Sequence, residues 1–460
     1  MSTPSVTESS SALEPAPYLR IEQIDVLRGV AVLGIYLVNM FIFALPYSES
    51  SLPGILNDEN TTNTLVRLFS EVYWEGAMRG LFSILFGASA LIFLTEAKLA
   101  ARGTDLVDRY YRRSMLLIVF GAIHAYLLLW PYDVLYAYGV LGLFLFPLRK
   151  LAARTLLIIG VIMLFIGDFN LSELSFLPSL ESTLNAADVA DQFSDHEPEA
   201  QTDNQPLPPG VGPKKPSLQT AESQTKADAS NDEYQKQLIL QQELDIYRSG
   251  YKTIFVYQRE MVIVQQSTKM YRDFFYDIGG MMLIGMALFR LGVLSGAVSR
   301  RVYWWMLIVG GISGTIVRGA ISLRDVASVQ AWVEPVLDTG FGYNLARLLI
   351  VIGWVGLVGL ICQGGWLRRL QTWVANVGRM ALTGYISQTV ISVILFYGIG
   401  FALFAKFERH ELLWFCLAMW VAQISFSTVW LKYYRHGPLE WVWRSLIYGY
   451  WQDNRRRPAL

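Results

Sequence analysis

The first candidate for chemistry is His124, the only one of the four histidines inside a long apolar run. That run ends at a Trp-Pro-Tyr segment at 130–132, and Asp133 opens the next run. Because so tight a hairpin keeps two helices adjacent, a neutral imidazole could be oriented by this carboxylate or by Asn39 and act as a general base. Structural hydrogen bonding is the alternative for such a histidine. The candidate catalytic residues are His124, Asn39 and Asp133.

Charged residues at the ends of apolar runs are a second set of candidates. A charge at the centre of a bilayer costs about 2.5–3.5 kcal/mol on insertion scales, so it needs a partner or a water-filled cavity. Asp25 and Arg28 are one helical turn apart at the start of the first run, and they are predicted to pair on one face of a helix. Their alternative role is to anchor that helix at the membrane boundary.

A third set of charged residues lies near the other ends of the apolar runs. Glu75 and Arg79 are four residues apart and can pair across one turn of a helix, while Asp277 and Arg347 belong to two later runs. These four side chains could converge on one outward-opening polar cavity. They are the candidate substrate-binding residues.

The composition indicates that helices in a membrane must position these residues. Hydrophobic residues make up 53% of the 460 positions and charged residues only 17%, which is too apolar for a soluble protein. Runs of roughly 17 to 25 apolar residues can cross the hydrocarbon as helices. The sequence predicts an all-α polytopic membrane protein with about ten transmembrane helices, at 24–46, 78–97, 113–130, 133–148, 153–170, 273–293, 302–321, 341–362, 379–403 and 411–431.

The distribution of Lys and Arg predicts how these spans are oriented. Basic residues concentrate in every second loop and in the C-terminal segment, so the positive-inside rule predicts that both ends are cytoplasmic. The predicted order is a disordered cytoplasmic tail at 1–23, a first group of five spans at 24–170, a disordered extracytoplasmic loop at 171–231, an amphipathic surface helix at 232–270, a second group of five spans at 271–432 and a cytoplasmic segment at 433–460.

The predicted surface helix has two interpretations. Leu240, Leu244, Tyr247 and Tyr251 recur at helical spacing among polar residues. Such a helix could close over an extracytoplasmic pocket as a lid, or it could rest on the helical bundle through its apolar face.

Charge and cysteine content limit which classes of partner and which metal sites the sequence predicts. Lys plus Arg and Asp plus Glu are 38 each, so no nucleic-acid partner is expected. Cys362 and Cys416 have neither metal-ligand nor redox spacing, and no metal site is predicted.

Five stretches of the sequence resemble the YeiB family of bacterial integral membrane proteins, the DUF418 type. They are IDVLRGVAVLGIYLVN at 24–39, LFSILFGAS at 81–89, GAIH ending at His124 with DVLYAYG from Asp133, GRMALTGYISQ at 378–388 and GPLEWVWRSLIYG at 437–449. They occur in the family's order and extend over nearly all of the predicted membrane part. The YeiB family is similar in turn to the transmembrane acyltransferase superfamily.

The resemblance implies transfer of an acyl group from cytoplasmic acyl-CoA to a hydroxyl or amine of an acceptor at the far membrane face. In the related sugar O-acetylases a histidine stands where this chain has Asn39. In the heparan α-glucosaminide N-acetyltransferase type an asparagine stands there, and a histidine follows in the next loop. This chain has no histidine at 40–123, which leaves His124 as the intramembrane substitute.

The same resemblance implies a site for the coenzyme's phosphates. Arg28, next to Asp25, and the basic pair Arg112 and Arg113 are the candidates, because guanidinium groups bind phosphate in a bidentate manner. The alternative is that these arginines only satisfy the positive-inside rule.

Three functions therefore stay open. The chain could be an acyltransferase with acyl-CoA as donor, a transporter or flippase of a lipid-like or acylated solute, or a non-catalytic cell-envelope protein. A transporter is expected to contain inverted repeats with paired broken helices, and we find no internal repeat. The expected location is the bacterial plasma membrane, and the expected partners are membrane lipid, a small-molecule or glycan acceptor and, in a homodimer, a second copy of the chain.

Overall fold

A computed structural model of the protein describes residues 21–48, 60–168, 234, 237–323 and 341–456. Within these ranges the chain is helical, without a strand and with one isolated bridge between Tyr434 and Arg455. The predicted all-α class is therefore confirmed. The predicted tail up to residue 20 and the predicted loop at 171–231 lie outside the described residues.

Most of the described residues lie in fourteen helices. In chain order they are α1 (Glu22–Ala44), α2 (Thr61–Tyr73), α3 (Ala77–Phe93), α4 (Glu96–Ala122, extended by the π-helical turn Ile123–Leu127), α5 (Leu135–Leu148), α6 (Ala153–Asp168), α7 (237–247), α8 (Tyr251–Val264, then π-helical Gln265–Phe274, then Phe275–Arg290), α9 (Arg300–Trp305, then π-helical Met306–Ile312, then Ser313–Ser322), α10 (Phe341–Gly364), α11 (Arg368–Arg379), α12 (Ala381–Phe396), α13 (Arg409–Tyr433) and α14 (Pro438–Tyr448).

The described helices include five that are long and apolar enough to cross a membrane, or six if the bent pair α11 and α12 counts as one span. This is the helix content of a polytopic membrane protein, whereas the number of ten spans stays a prediction. The apolar helix α5 has only 14 residues. At a rise of about 1.5 Å per residue it extends roughly 21 Å, less than the hydrocarbon thickness of about 30 Å.

Helix α1 lies at the centre of the packing and contacts α3, α10, α11, α12 and α13. At its crossing with α11, the two backbones meet at Gly29 and Gly378. A Cβ at Gly378 would collide with the carbonyl oxygen of Asp25, and a Cβ at Gly29 would collide with that of Val374. Small residues allow such close crossings between membrane helices. The crossing places the first turns of α1 beside the start of α12.

We expect Gly378→Ala to destabilise the protein by about 1–3 kcal/mol, because the new methyl group overlaps a backbone atom that cannot rotate away. Gly319→Ala is the matched control, since a Cβ at this helical glycine meets nothing within 4 Å. Its effect should stay within about 0.5 kcal/mol. Thermal melts of detergent-solubilised protein measure both variants, and equal melting temperatures would contradict the close crossing.

The predicted surface helix at 232–270 differs from the helices observed there. α7 ends at 247, and α8 then continues without a break from Tyr251 to Arg290, so no helix ends at 270, while the predicted division there between a surface helix and the membrane spans stays a prediction. The sequence between 251 and 277 contains neither Gly nor Pro, and nothing there ends a helix. At about 1.5 Å per residue, α8 extends roughly 60 Å, about twice the hydrocarbon thickness.

The first part of α8 packs against the other helices. Ile254, Gln258 and Val262 form its buried stripe, and the Tyr251 hydroxyl donates to the carbonyl oxygen of Leu127 at 3.1 Å. The preceding helix α7 is held in the same way, since its Glu243 accepts a 2.8 Å hydrogen bond from the Ser48 hydroxyl. These contacts agree with the interpretation of a helix that rests on the bundle.

Candidate functional site

His124 lies on the π-helical turn that ends α4. Its side chain is fully buried, and both ring nitrogens have partners. Nδ1 lies 2.7 Å from Asp133 Oδ1, and Nε2 lies 2.8 Å from Thr389 Oγ1. The predicted contact between His124 and Asp133 is confirmed. Because a π-helical turn inserts one extra residue and redirects the side chains around it, such turns are frequent at functional sites.

Asp133 determines which ring nitrogen carries the proton. An ionised carboxylate can only accept, so Nδ1 of His124 is the donor and Nε2 is left to accept the Thr389 hydroxyl. The other oxygen, Oδ2, accepts the backbone N–H of Tyr136 at 2.8 Å and so fixes the carboxylate at the start of α5. The three side chains form a carboxylate–imidazole–hydroxyl relay, in which the imidazole can take a proton from the hydroxyl.

Asn39 is not part of this relay. It is half-buried on α1, and the two nitrogens of His124 bind Asp133 and Thr389 instead. The prediction that Asn39 orients the imidazole is therefore wrong, while a role for Asn39 in contacting substrate stays a prediction. Thr389 follows the segment at 378–388, and sequence reasoning missed it. The available signal was a cluster of polar residues, Ser387, Gln388, Thr389 and Ser392, within a mostly apolar helix.

A cavity of about 450 Å³ leads from one end of the bundle toward this relay. Its walls come from α1, α3, α4, α5, α11, α12 and α14. The interior is apolar and aromatic, and its lining includes Phe82, Leu117, Leu135 and Leu382. The polar residues are grouped at the mouth, beside the first turns of α1 and α12. They are Asp25, Arg28, Ser89, Arg113, Arg379, His436, Glu440 and Arg444.

Tyr385 separates the cavity from His124. One side of its ring lines the cavity, and the ring packs on the imidazole edge-to-face with centroids 4.9 Å apart. Its hydroxyl accepts a hydrogen bond from Trp130 Nε1 at 3.2 Å, which holds the ring in this position. Since Tyr385 and Thr389 are four residues apart on α12, they lie on one face of that helix.

Arginines dominate the charge at the mouth. Arg28 binds Asp25 Oδ1 at 3.2 Å, as the sequence predicts, and its other terminal nitrogen donates to the Ser89 hydroxyl at 3.2 Å. Arg113 is surrounded by three aromatic rings, and the centroid of the nearest, Phe86, lies 5.3 Å from its guanidinium carbon. With Arg379 and Arg444, four guanidinium groups face two carboxylates. The mouth therefore attracts anions.

Arg112 and Arg113, the neighbouring arginines predicted to contact the coenzyme, lie in different surroundings. Arg113 lines the cavity, whereas Arg112 donates to the backbone carbonyl of Ile447 on α14 at 3.2 Å. The sequence did not predict that Arg379 and Arg444 contribute to the mouth, because nothing in the spacing of α11 and α14 indicates that both helices pack beside α1.

Glu440 connects α14 to the helix that carries Tyr385 and Thr389. Its Oε1 accepts the backbone N–H groups of Leu382 at 2.7 Å and Thr383 at 3.0 Å. Burial raises the pKa of Glu440, and these hydrogen bonds oppose part of the rise. A carboxylate at this position complements the positive end of the α12 dipole and fixes where α12 begins.

The charged residues expected at the other end of the spans do meet, but with different partners. Asp277 pairs with Arg79 at 2.8 Å and with Arg347 at 2.5 Å, so these three side chains do meet, while an outward-opening cavity around them stays a prediction. Glu75 pairs with Arg318 at 2.8 Å instead of with Arg79, and the predicted i,i+4 pair is wrong. Arg79 lies ten residues before Ser89 on α3, about 15 Å from the mouth.

The backbone explains this exchange of partners. α2 ends at Tyr73 and α3 begins at Ala77, so Glu75 and Arg79 are not on one continuous helix. Gly76 has a φ of +67°, a left-handed conformation that a side chain would disfavour, and it turns the chain between the two helices. Although Glu75 and Arg79 are four residues apart in sequence, their side chains therefore do not pair.

Metal coordination has no candidate in the described ranges, where no group of three or more His, Cys, Asp or Glu side chains could hold an ion.

Comparison with known proteins gives relatives along nearly the whole chain. The family model described as "Protein of unknown function (DUF418)" matches residues 288–450. The chain is 30% identical to "Uncharacterized protein YeiB" of Escherichia coli strain K12 over 431 residues, which covers 92% of this chain and 95% of that protein. It is 26% identical to "Uncharacterized protein YxaH" of Bacillus subtilis strain 168, over 96% of this chain and 97% of that protein. No solved structure matches the chain.

Proposed function

Because the chain belongs to the YeiB family of DUF418 membrane proteins, we propose that it is a membrane-embedded acyltransferase. It moves an acyl group from cytoplasmic acyl-CoA to a hydroxyl or amine of an extracytoplasmic envelope acceptor. The observation that carries the proposal is the cavity, which has a basic mouth, an apolar interior and an inner wall formed by the ring that packs on His124. The similarity of the YeiB family to the transmembrane acyltransferase superfamily supports the same chemistry.

The cavity suits the two parts of an acyl-CoA molecule. The arginines at the mouth attract the coenzyme's phosphates, and Arg28, Arg113 and Arg444 are the proposed contacts. The apolar interior suits the pantetheine arm and the acyl chain. A volume of about 450 Å³ falls within the range of roughly 300–1,000 Å³ that is usual for ligand sites.

His124 is the proposed general base. With Nδ1 donating to Asp133, the Nε2 lone pair, which binds the Thr389 hydroxyl in the structure, is the site that takes up the proton of a hydroxyl or amine, and the carboxylate stabilises the imidazolium that forms. The side chains around this pair exclude bulk water, which protects the donor thioester from hydrolysis.

The cluster of Arg79, Asp277 and Arg347 is the proposed contact for the acceptor. Two guanidinium groups share one carboxylate, and the Nε groups of both arginines are buried without a hydrogen-bond partner. Hydroxyl or anionic groups of an acceptor would satisfy these donors. Glu75, paired with Arg318 nearby, is the fourth proposed contact. Tyr138 links the cluster to the cavity, since it lines the cavity and its hydroxyl lies 3.3 Å from the Arg79 carbonyl oxygen.

We further propose that the protein crosses the bacterial plasma membrane about ten times, with both ends and the cavity mouth on the cytoplasmic side. The excess of Lys and Arg in alternate loops supports this orientation. The arginines of the mouth come from segments on the predicted cytoplasmic side, where a cytoplasmic donor would enter.

Transport or flipping of a lipid-like solute is the second candidate. The observation in its favour is the break between α11 and α12, which are bent by 78° at Met380. Broken helices are typical of transporter binding sites. Proteoliposomes that move an acylated lipid without consuming acyl-CoA would favour this candidate over acyl transfer.

We expect Arg28→Ala to weaken binding of acetyl-CoA or palmitoyl-CoA by about 10- to 100-fold, because a charge-assisted hydrogen bond contributes about 1.5–3 kcal/mol. Arg28→Lys should weaken it less, since it keeps the charge but loses the planar fork. Calorimetric titration of protein in nanodiscs measures the dissociation constants.

The matched control for this experiment is Arg67→Ala, which removes a partly exposed arginine paired with Glu71, away from the cavity. It should leave donor binding unchanged. Thermal melts show whether loss of the Asp25 partner unfolds the start of α1. Equal affinities for wild type and Arg28→Ala would contradict the proposed donor site.

A further inference from the structure

The hydroxyl of Thr389 has an unusual partner for this chain. Several hydroxyls within its helices donate to the carbonyl four residues earlier, as Ser83 does to Arg79 and Thr315 does to Gly311, whereas Thr383 and Ser392 of α12 bond other side chains. In an apolar helix the bond to the carbonyl satisfies the hydroxyl locally. The Thr389 hydroxyl instead lies 2.8 Å from His124 Nε2, with both side chains almost completely buried.

We infer that Thr389 is a nucleophile that carries the acyl group as an ester between donor and acceptor; the inference rests on the proposed acyl transfer. Asp133, His124 and Thr389 have the connectivity of a nucleophile, a base and a group that orients the base. Such a triad is recognised by its geometry and by the role of each member, not by sequence order.

The first half-reaction forms the ester. Thr389 Oγ attacks the thioester carbonyl carbon while its proton moves to His124 Nε2, and Asp133 stabilises the imidazolium. The carbon–sulfur bond then breaks, and the leaving thiolate takes the proton from Nε2. Free coenzyme A thiol leaves, and the acyl group stays on Thr389.

The second half-reaction returns the enzyme to its resting state. An acceptor hydroxyl or amine attacks the ester carbonyl and gives its proton to Nε2. The bond to Thr389 Oγ breaks, and Oγ recovers a proton from the imidazolium. With a covalent carrier, donor and acceptor need not occupy the same space at the same time. This suits a protein in which the proposed donor site, at the cavity mouth, and the proposed acceptor site, at the ion cluster, lie about 15 Å apart along α3.

Tyr385 controls access to this nucleophile. Its ring forms the wall between the cavity and His124, one helical turn before Thr389. The thioester reaches Oγ when the ring swings aside and its hydrogen bond from Trp130 breaks. Because the relay is closed until then, water in the cavity does not meet the activated hydroxyl.

An isotope-exchange experiment tests the covalent step without knowledge of the acceptor. Wild-type protein in nanodiscs is incubated with unlabelled acetyl-CoA or palmitoyl-CoA and labelled coenzyme A. An acyl-enzyme transfers its acyl group back to labelled coenzyme A, so label should appear in acyl-CoA with no acceptor present. Peptide mapping after acid quench should find one acyl group on Thr389.

Variants at Thr389 separate this role from structural support. Thr389→Val keeps the shape but has no hydroxyl, and it should lower the exchange at least about 10²-fold while donor binding persists. Thr389→Ser should retain the exchange. Melting temperatures near that of the wild type show that both variants fold.

The outcomes distinguish the inference from the proposed function. If wild-type protein binds acyl-CoA and transfers or hydrolyses it without exchange or adduct, or if Thr389→Val keeps full exchange, the acyl-Thr389 step is overturned and direct transfer through His124 stands. If neither acyl-CoA is bound or turned over, the proposed function fails, and the inference fails with it.

Discussion

Replacing His124 with glutamine is expected to lower the turnover of acyl-CoA by about 10²- to 10⁴-fold, the usual effect of removing a general base. Glutamine can still hydrogen-bond to Asp133 and Thr389, but its amide cannot accept a proton at neutral pH. Folding and donor binding should therefore persist. Release of coenzyme A thiol, measured with a thiol reagent in nanodiscs, gives the rate.

The matched control is His410→Gln. His410 is partly exposed, and its Nδ1 bonds Asn63 at 2.9 Å, far along the chain from the relay. This variant should keep full activity. Full activity of the His124 variant would assign that histidine to the scaffold. The same assignment would follow if His124→Gln unfolded the protein and lost activity only in proportion to the unfolded fraction.

The sequence predicted the local part of the site. His124 and Asp133 are nine residues apart across a hairpin, and the hairpin alone brings them together. Asp25 and Arg28 pair because both lie on one turn of α1. In each case the chain between the two residues is short and its conformation follows from its apolar pattern, so spacing determines the contact.

Contacts between distant helices could not be predicted in this way. Thr389 is 265 residues from His124 in sequence, and Arg318 is 243 from Glu75. Apolar periodicity indicates which residues form helices, but it does not indicate which helices become neighbours in a membrane, where small residues such as Gly378 decide the crossings. For this reason the sequence predicts Asn39 as a partner of the imidazole, whereas the structure has Thr389 at Nε2.

The error at Glu75 had a different physical origin. The i,i+4 rule holds only within one helix, and the chain reverses its backbone conformation at Gly76. A glycine near the start of an apolar run is the sequence signal for such a break. The opposite case is α8, where a change from amphipathic to apolar residues predicts separate helices although one helix continues through it.

Replacing Asp277 with asparagine is expected to destabilise the protein by about 3–5 kcal/mol, because removing one member of a buried ion pair leaves an uncompensated charge. Asp277 is the carboxylate shared by Arg79 and Arg347, and the side chain of Arg347 is only 1% exposed. Arg347 cannot turn toward water, and in the variant its charge would remain between helices. The loss should appear as a lower melting temperature and a lower yield of folded protein from the membrane.

Asp105→Asn is the control for loss of a carboxylate, since Asp105 pairs with Arg109 at 2.8 Å but is 54% exposed. Its cost should be below about 1 kcal/mol, the usual value for exposed pairs. The double variant Asp277→Asn with Arg347→Met should recover part of the stability that Asp277→Asn loses, because it removes the charge left behind. If the double variant is less stable than Asp277→Asn by the full effect of Arg347→Met alone, the two side chains act independently. In that case the ion cluster does not hold α8 and α10 together.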